Sequence, residues 1–253
     1  MKVFFAEDIS RVDSGKHKFL NRLSKCLIDS GIEISKNKPD IFLHLGRNMD
    51  SCSNYKKSII RLDGLILNNK QNYKKANKKL SNAIGHSDAV VYQSDFSKQA
   101  YEKFLGINKE NICIPNGADT SEFPSRNVQD FFLASCRWRP HKRLKDICES
   151  FIYAKNKGLK SRLIIAGDPD FKIKHTDIDY IGWIKPKKLN ILLSKAVGCI
   201  HLSWLDWCPN SMIESIVAGC PVIYSDSGGS SEIGQKAGIG IRDKQWDFTP
   251  CDL

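Results

Sequence analysis

Apolar residues along this chain fall into short unbroken runs, and the segments between the runs carry helical spacing. Residues 2–5, 39–46 (PDIFLHLG), 58–64 (SIIRLDG), 88–93 (DAVVYQ) and 111–115 each read as a buried strand. Runs rather than strict alternation argue for parallel sheets covered on both faces. Between the first two strands, a loop through Asp13, Ser14 and Gly15 opens a helix expected over residues 16–30, with Phe19, Leu20, Leu23, Cys26 and Leu27 on its apolar face. Residues 68–85 carry a narrow stripe of Tyr73, Ala76, Leu80 and Ile84, and residues 96–105 make a third helical segment.

The second half repeats the alternation. Strands are expected at 131–135, 162–167, 180–184, 199–204 and 221–224, and helices at 144–156 and 186–196. A further helix starts at Pro209, whose missing amide hydrogen has no use in a first turn, and stops at Gly219. Met212, Ile213, Ile216 and Val217 share one face of it, with Asn210 and Glu214, four apart, on the flank. The fold class that follows is α/β, with two Rossmann-like lobes whose parallel sheets face a central cleft. The boundaries read as 1–117 for the first lobe, 118–130 for a polar linker carrying Pro124, and 131–253 for the second lobe.

Composition narrows the picture in three ways. With 41% hydrophobic residues and no apolar run of the roughly 18 to 20 residues a bilayer span needs, the chain reads as cytoplasmic, with peripheral membrane contact left open. The net charge of +11 is weighted toward residues 1–120, where 20 Lys and Arg face 13 acids. A nucleotide-sugar, an acidic acceptor, an anionic membrane or nucleic acid would each match that excess. Nucleic acid is disfavoured because no helix-turn-helix, RNA-recognition or zinc-finger pattern is present. Lys70, Lys74, Lys75, Lys78 and Lys79 crowd the polar side of one helix, which suits either water or an acidic surface. The nine Cys include no C-x-x-C pair, so neither a metal site nor a disulfide framework is expected. Two aspartate-x-aspartate triplets, Asp168-Pro169-Asp170 and Asp177-Ile178-Asp179, read as loop residues rather than cation ligands.

Candidate chemistry gathers at the carboxyl ends of strands, where open α/β sheets bind ligands. In the first half these positions hold His44, read as a sheet residue, and Asp63; Gly15 lets the backbone approach a ligand. In the second half the loop Cys136-Arg137-Trp138-Arg139-Pro140-His141-Lys142-Arg143 places four Arg and Lys side chains where a diphosphate would be met. Asp206 precedes the helix that carries Glu214, and the free amides and dipole at that helix start, Asn210 to Met212, suit an anion.

The stretch from Asp206 through seven residues to Glu214, then Ala218, Gly219, Pro221, Val222, Ile223, Gly228, Gly229 and Glu232, resembles the donor-binding region of family-four GT-B glycosyltransferases. Asp206 stands where that family usually has Glu, one methylene longer. DAVVYQS and IPNGAD extend the resemblance into the first lobe. It implies a retaining, metal-independent glycosyltransferase that moves a hexosyl or related group from a UDP-, GDP- or ADP-sugar and needs no other cofactor. It gives the diphosphate to Arg137 and Lys142, with Arg139 and Arg143 competing, the ribose to Glu214 and the donor sugar to Asp206. Gly182 and Trp183 would line the base, and Ser14, Gly15 and Asp63 would face an acceptor that is a glycan, lipid-linked or protein. Family members continue with a further pair of helices that this sequence lacks. A catalytically degenerate module that holds a nucleotide-sugar is the alternative.

Overall fold

The computed structural model describes residues 1–10, 14–45, 54–107 and 109–253; Asp13 and Gly46, named above, lie outside them. The chain divides into two compact units, Met1–Asn116 with Asp247–Leu253, and Gly117–Trp246.

The first unit is a parallel sheet of β1 (Lys2–Phe5), β2 (Glu33–Ile34), β3 (Ile41–His44), β4 (Lys57–Arg61), β5 (Ala89–Tyr92) and β6 (Asn111–Cys113). The order is β2-β1-β3-β4-β5-β6, so the winding reverses between β1 and β3. Three helices cover it, α1 (Gly15–Asp29), α2 (Tyr73–His86) and α3 (Asp95–Leu105). Each starts on a side chain that accepts a first-turn amide: Ser14, Asn72 and Ser94. Val3, Phe5, Leu20, Leu43 and Leu45 pack into one core, as the apolar runs require. In α2 the buried side holds Leu80, Ala83, Ile84 and Asn77, whose amide bonds both the N–H and the carbonyl of Ile66.

The second unit contains β7 (Gln129–Ser135), β8 (Arg162–Ala166), β9 (Ile178–Gly182), β10 (Ala196–His201), β11 (Val222–Asp226) and β12 (Gly238–Arg242). Its helices are α4 (Leu144–Asn156), α5 (Pro186–Lys195), α6 (Asn210–Val217) and α7 (Gly229–Gly234). The sheet, again parallel, runs β12-β11-β10-β7-β8-β9. Numbered from the unit's own first strand this is the dinucleotide-fold order 3-2-1-4-5-6, with its switch between β7 and β10. Apolar clusters fill both faces, one centred on Leu133, Cys199 and Met212, the other on Leu163, Ile165 and Phe151.

Several elements differ from the sequence expectation. The strand expected at 199–204 is Ala196–His201, because Leu205 takes a left-handed conformation (φ 55°) and the chain turns before it. β12, α7 and the two-residue β2 were not expected at all; they are glycine-rich or too short to show periodicity. Residues 247–253 were grouped with the second lobe, whereas they lie with the first. There the Cys251 amide donates to the Leu67 carbonyl (3.0 Å) and the Asn69 amide to the Cys251 carbonyl (3.1 Å). The Lys103 ammonium lies 3.7 Å from the Phe248 ring centre, a cation–π contact that ties the tail down further. No helix among the described residues is long and apolar enough to cross a membrane.

Candidate functional site

At the β7–β10 switch the two following loops are drawn together. The Trp204 amide donates to the His141 carbonyl (3.0 Å), and Lys142 Nζ lies 2.5 Å from Asp206 Oδ2. Ser135, Cys136, Trp138, Lys142, His201 and Ser203 line the crevice between the strand ends. Trp138 is buried and its indole N–H donates to the Ala166 carbonyl (2.9 Å), so Arg137 and Arg139 on either side of it point outward and are exposed. Arg143 is diverted. It grips Asp243 with two nitrogens, one at 3.0 Å, and Ser225 bonds the same carboxylate. That clamp fastens the end of β12 and commits the Arg143 guanidinium to Asp243.

Asp206 is held from several sides. Burial alone would raise its pKa, but the Lys142 ammonium and His201 outweigh burial and hold the carboxyl well below the usual carboxylate range. Its carbonyl accepts the Gly229 amide at 2.8 Å. Gly228 has φ 60°, and a Cβ there would stand 2.6 Å from the Asp206 carbonyl oxygen. The glycine pair is therefore what lets β11's turn close against the Asp206 loop. Burial and the nearby Lys142 push His141 down to about 4, so it is neutral at pH 7, and burial pushes the Cys136 thiol up to about 12.

At α6 no side chain caps the helix start. The Met212 amide, expected to face an anion, is committed to the Pro209 carbonyl (3.1 Å), because the first turn closes on itself; Asn210 and Ser211 stand ahead of it. Glu214, one turn on, is buried. His201, the last residue of β10, was not singled out in the sequence. Only 5% exposed, it sets Nδ1 3.2 Å from Ser211 Oγ and Nε2 3.5 Å from Asp206 Oδ2. A histidine ending a buried strand three residues after a glycine carries no motif; its meaning comes from the turn that follows.

Gly182 and Trp183 lie farther along the same end of the sheet, after β9. The Trp183 amide donates to Asp168 Oδ1 (3.2 Å), and the residue is 64% exposed. Asp177 and Asp179 are tied to Arg162 (3.3 and 2.8 Å), and Asp177 also to Lys155 (3.1 Å). Asp179 sits within β9 rather than in a loop. No cluster of three metal-binding side chains occurs among the described residues.

In the first unit Ser14 caps α1 and Gly15 is its first residue. Asp63, after β4, accepts at Oδ1 from the Arg61 guanidinium and from the Gln93 amide (3.3 Å). Arg61 is buried, bonds Asn116 and lies 3.6 Å over the Phe19 ring. His44 is buried against Ser87 (3.0 Å), and burial lowers it to about 4, as a sheet residue should be. A residue the sequence did not flag, Glu7, follows β1 and bonds the Leu45 amide after β3 (3.2 Å) and Lys16 (3.2 Å).

No protein-family model and no curated protein sequence matches the chain. Solved structures do. Sucrose-phosphate synthase from Thermosynechococcus elongatus superposes with a TM-score of 0.71 at 12% identity, over 99% of this chain and 86% of that one. Anabaena HepE, solved in complex with UDP and glucose, gives 0.71 at 14%, over 99% and 87%. The fold is GT-B. AviGT4, a glycosyltransferase involved in avilamycin A biosynthesis, gives 0.67 at 16%, over 98% and 85%. At these identities the likeness establishes the GT-B architecture of two Rossmann-like lobes, and chemistry has to be argued from the residues.

Proposed function

We propose that this GT-B chain transfers a sugar from a nucleoside diphosphate sugar to an acceptor hydroxyl. The observation that carries it is the meeting of Lys142, Asp206 and the uncapped start of α6 at the β7–β10 switch. Departure of a nucleoside diphosphate builds negative charge on its phosphates. Lys142, the exposed Arg137 and the Asn210 and Ser211 end of α6 supply donors and positive potential for that charge. Glu214 is assigned to the ribose, Asp206 to hydroxyls of the donor sugar, and Gly182 and Trp183 to the base. With the clamp supplied by side chains and a helix end, the reaction is expected to be independent of a divalent cation; retention is what the resemblance to family-four enzymes implies. HepE was solved with UDP and with UDP-glucose, which makes UDP-glucose the first donor to try. Ser14, Gly15 and Asp63 are assigned to the acceptor.

The test is a thermal-shift panel of UDP-, GDP- and ADP-sugars followed by turnover with and without a chelator. A donor at about 100 times its dissociation constant should add about 2.7 kcal/mol of stability. Stabilisation by one donor, with nucleoside diphosphate released and EDTA without effect, supports the proposal. Binding with no release under any acceptor condition points to the degenerate nucleotide-sugar module instead, and no shift with any donor removes both.

A further inference from the structure

Within that donor-site reading, the groups assigned to the diphosphate and to the sugar are bonded to each other. Lys142 and Asp206 are 2.5 Å apart, with 17% and 14% of their side chains exposed. A diphosphate that recruits Lys142 has to draw it off Asp206 at least in part. The carboxylate, largely shielded from water, would then lose its ammonium partner, and a buried charge without a partner strongly disfavours the bound state.

His201 stands ready at this point. Its Nε2 is buried and makes no hydrogen bond, although Asp206 Oδ2 lies 3.5 Å away. Its Nδ1 is 3.2 Å from Ser211 Oγ, in the first turn of α6. The hydrogen-bond assignment that fits this geometry has the Ser211 hydroxyl donating to Nδ1 and an N–H on Nε2 facing Asp206. A buried N–H with no acceptor in hydrogen-bond geometry is costly, and a small shift of either group would satisfy it. Asp206 would then exchange one donor for another.

We propose that His201 is a positioning residue that takes over the Asp206 carboxylate when an incoming diphosphate draws Lys142 away. No covalent bond changes: the Lys142 hydrogen bond to Oδ2 is replaced by one from His201 Nε2–H, and the ammonium turns to phosphate oxygens. Ser211 makes the exchange sensitive to the position of α6, since the ring that receives Asp206 is anchored to the helix start assigned to the same phosphates.

The test is a double-mutant cycle read in nucleotide affinity, with UDP, GDP and ADP as probes and the melting temperature of the unliganded protein recorded for every variant. His201→Phe should weaken the nucleotide that wild type binds by about tenfold or more, the worth of a hydrogen bond to a charged group. In an Asp206→Asn background the same change should cost about twofold or less, because no charge then needs a partner. His201→Gln, whose amide reaches close to the Nε2 position, should stay within about threefold of wild type. Equal losses in both backgrounds, or a Gln variant as weak as the Phe variant at matched melting temperature, would overturn the hand-over while leaving the donor site standing. A wild-type protein that binds none of the three nucleotides removes the donor site and the hand-over together.

Discussion

Each compact unit holds a cation shielded from water near the carboxyl end of its sheet, and the two are held differently. Arg61, at the end of β4, is 3% exposed and is gripped by Asp63 and Asn116 with the Phe19 ring against its plane. Lys142, in the turn after β7, has one ion-pair partner among the described residues, Asp206. A guanidinium with several geometrically fixed partners is committed, since a ligand would have to replace all of them. A flexible ammonium with one partner can be exchanged. The number of partners, more than burial, separates a cation that holds a loop from one available to a phosphate.

The sharpest way to break the comparison is to remove the exchangeable cation. Lys142→Met is expected to lower sugar transfer by about 10²–10³, in line with loss of one preorganised donor to a developing charge. Acid titration of stability adds an independent check. Asp206 is held below its ordinary pKa, so its pair contributes stability that is present above the unfolded value of about 3.9 and lost as pH falls through the lower folded value. Without the ammonium, burial is opposed mainly by His201, and the acid-side loss of melting temperature between about pH 5 and 2 should shrink. An unchanged acid limb would mean that Lys142 is not what lowers Asp206.

Arg61→Met should show the reverse pattern. It is expected to cost about 2 kcal/mol in urea melts, less than a fully buried pair because Asp63 recovers water once released. Nucleotide affinity should be unchanged. Trp138→Phe comes next: it keeps the packing but strands the Ala166 carbonyl, at about 1 kcal/mol, and loosens the loop that turns Arg137 outward. A nucleotide affinity that fell while the melting temperature held would show that the loop's pose, not its charge alone, matters.

Most of this architecture is legible in the sequence because buried parallel strands and capped helices leave local signatures. The run RLIIA, the Leu144 to Phe151 stripe and the Pro209 start of α6 each announce their element. The site's charged loop is legible too, since Arg and Lys after a first strand are unusual company for a core. Which Arg faces a ligand is not: Arg143 and Arg137 look alike until Asp243, a hundred residues beyond Arg143, comes to rest beside one of them. His201 escapes for the same reason, because its partners Asp206 and Ser211 reach it only after the chain turns at Leu205. β12 and the returning tail are glycine-rich or irregular, and pairing with β11 and with residues 67–69 gives them their form.

Lys70 and the lysines of α2 extend the comparison to a third case, cations with no ion-pair partner among the described residues. Lys70, Lys74, Lys75, Lys78 and Lys79 are exposed and none has a carboxylate within ion-pair distance among the described residues, while the helix buries its opposite side through Asn77, Leu80, Ala83 and Ile84. Such charges contribute little to the fold, so Lys74→Gln, Lys75→Gln and Lys78→Gln together should move stability by no more than about 0.5 kcal/mol each. Their mutual repulsion is instead relieved by an anionic surface, and we propose peripheral contact between this face and acidic headgroups. Each lysine near such a surface is worth about 1 kcal/mol, so the triple variant should bind vesicles of mixed phosphatidylcholine and phosphatidylserine at least about 10²-fold more weakly than wild type. The interaction should fade in high salt and vanish on phosphatidylcholine alone. Equal sedimentation of both proteins with acidic vesicles would show that the free lysines serve solvation, and that partner number sorts cations only inside the two units.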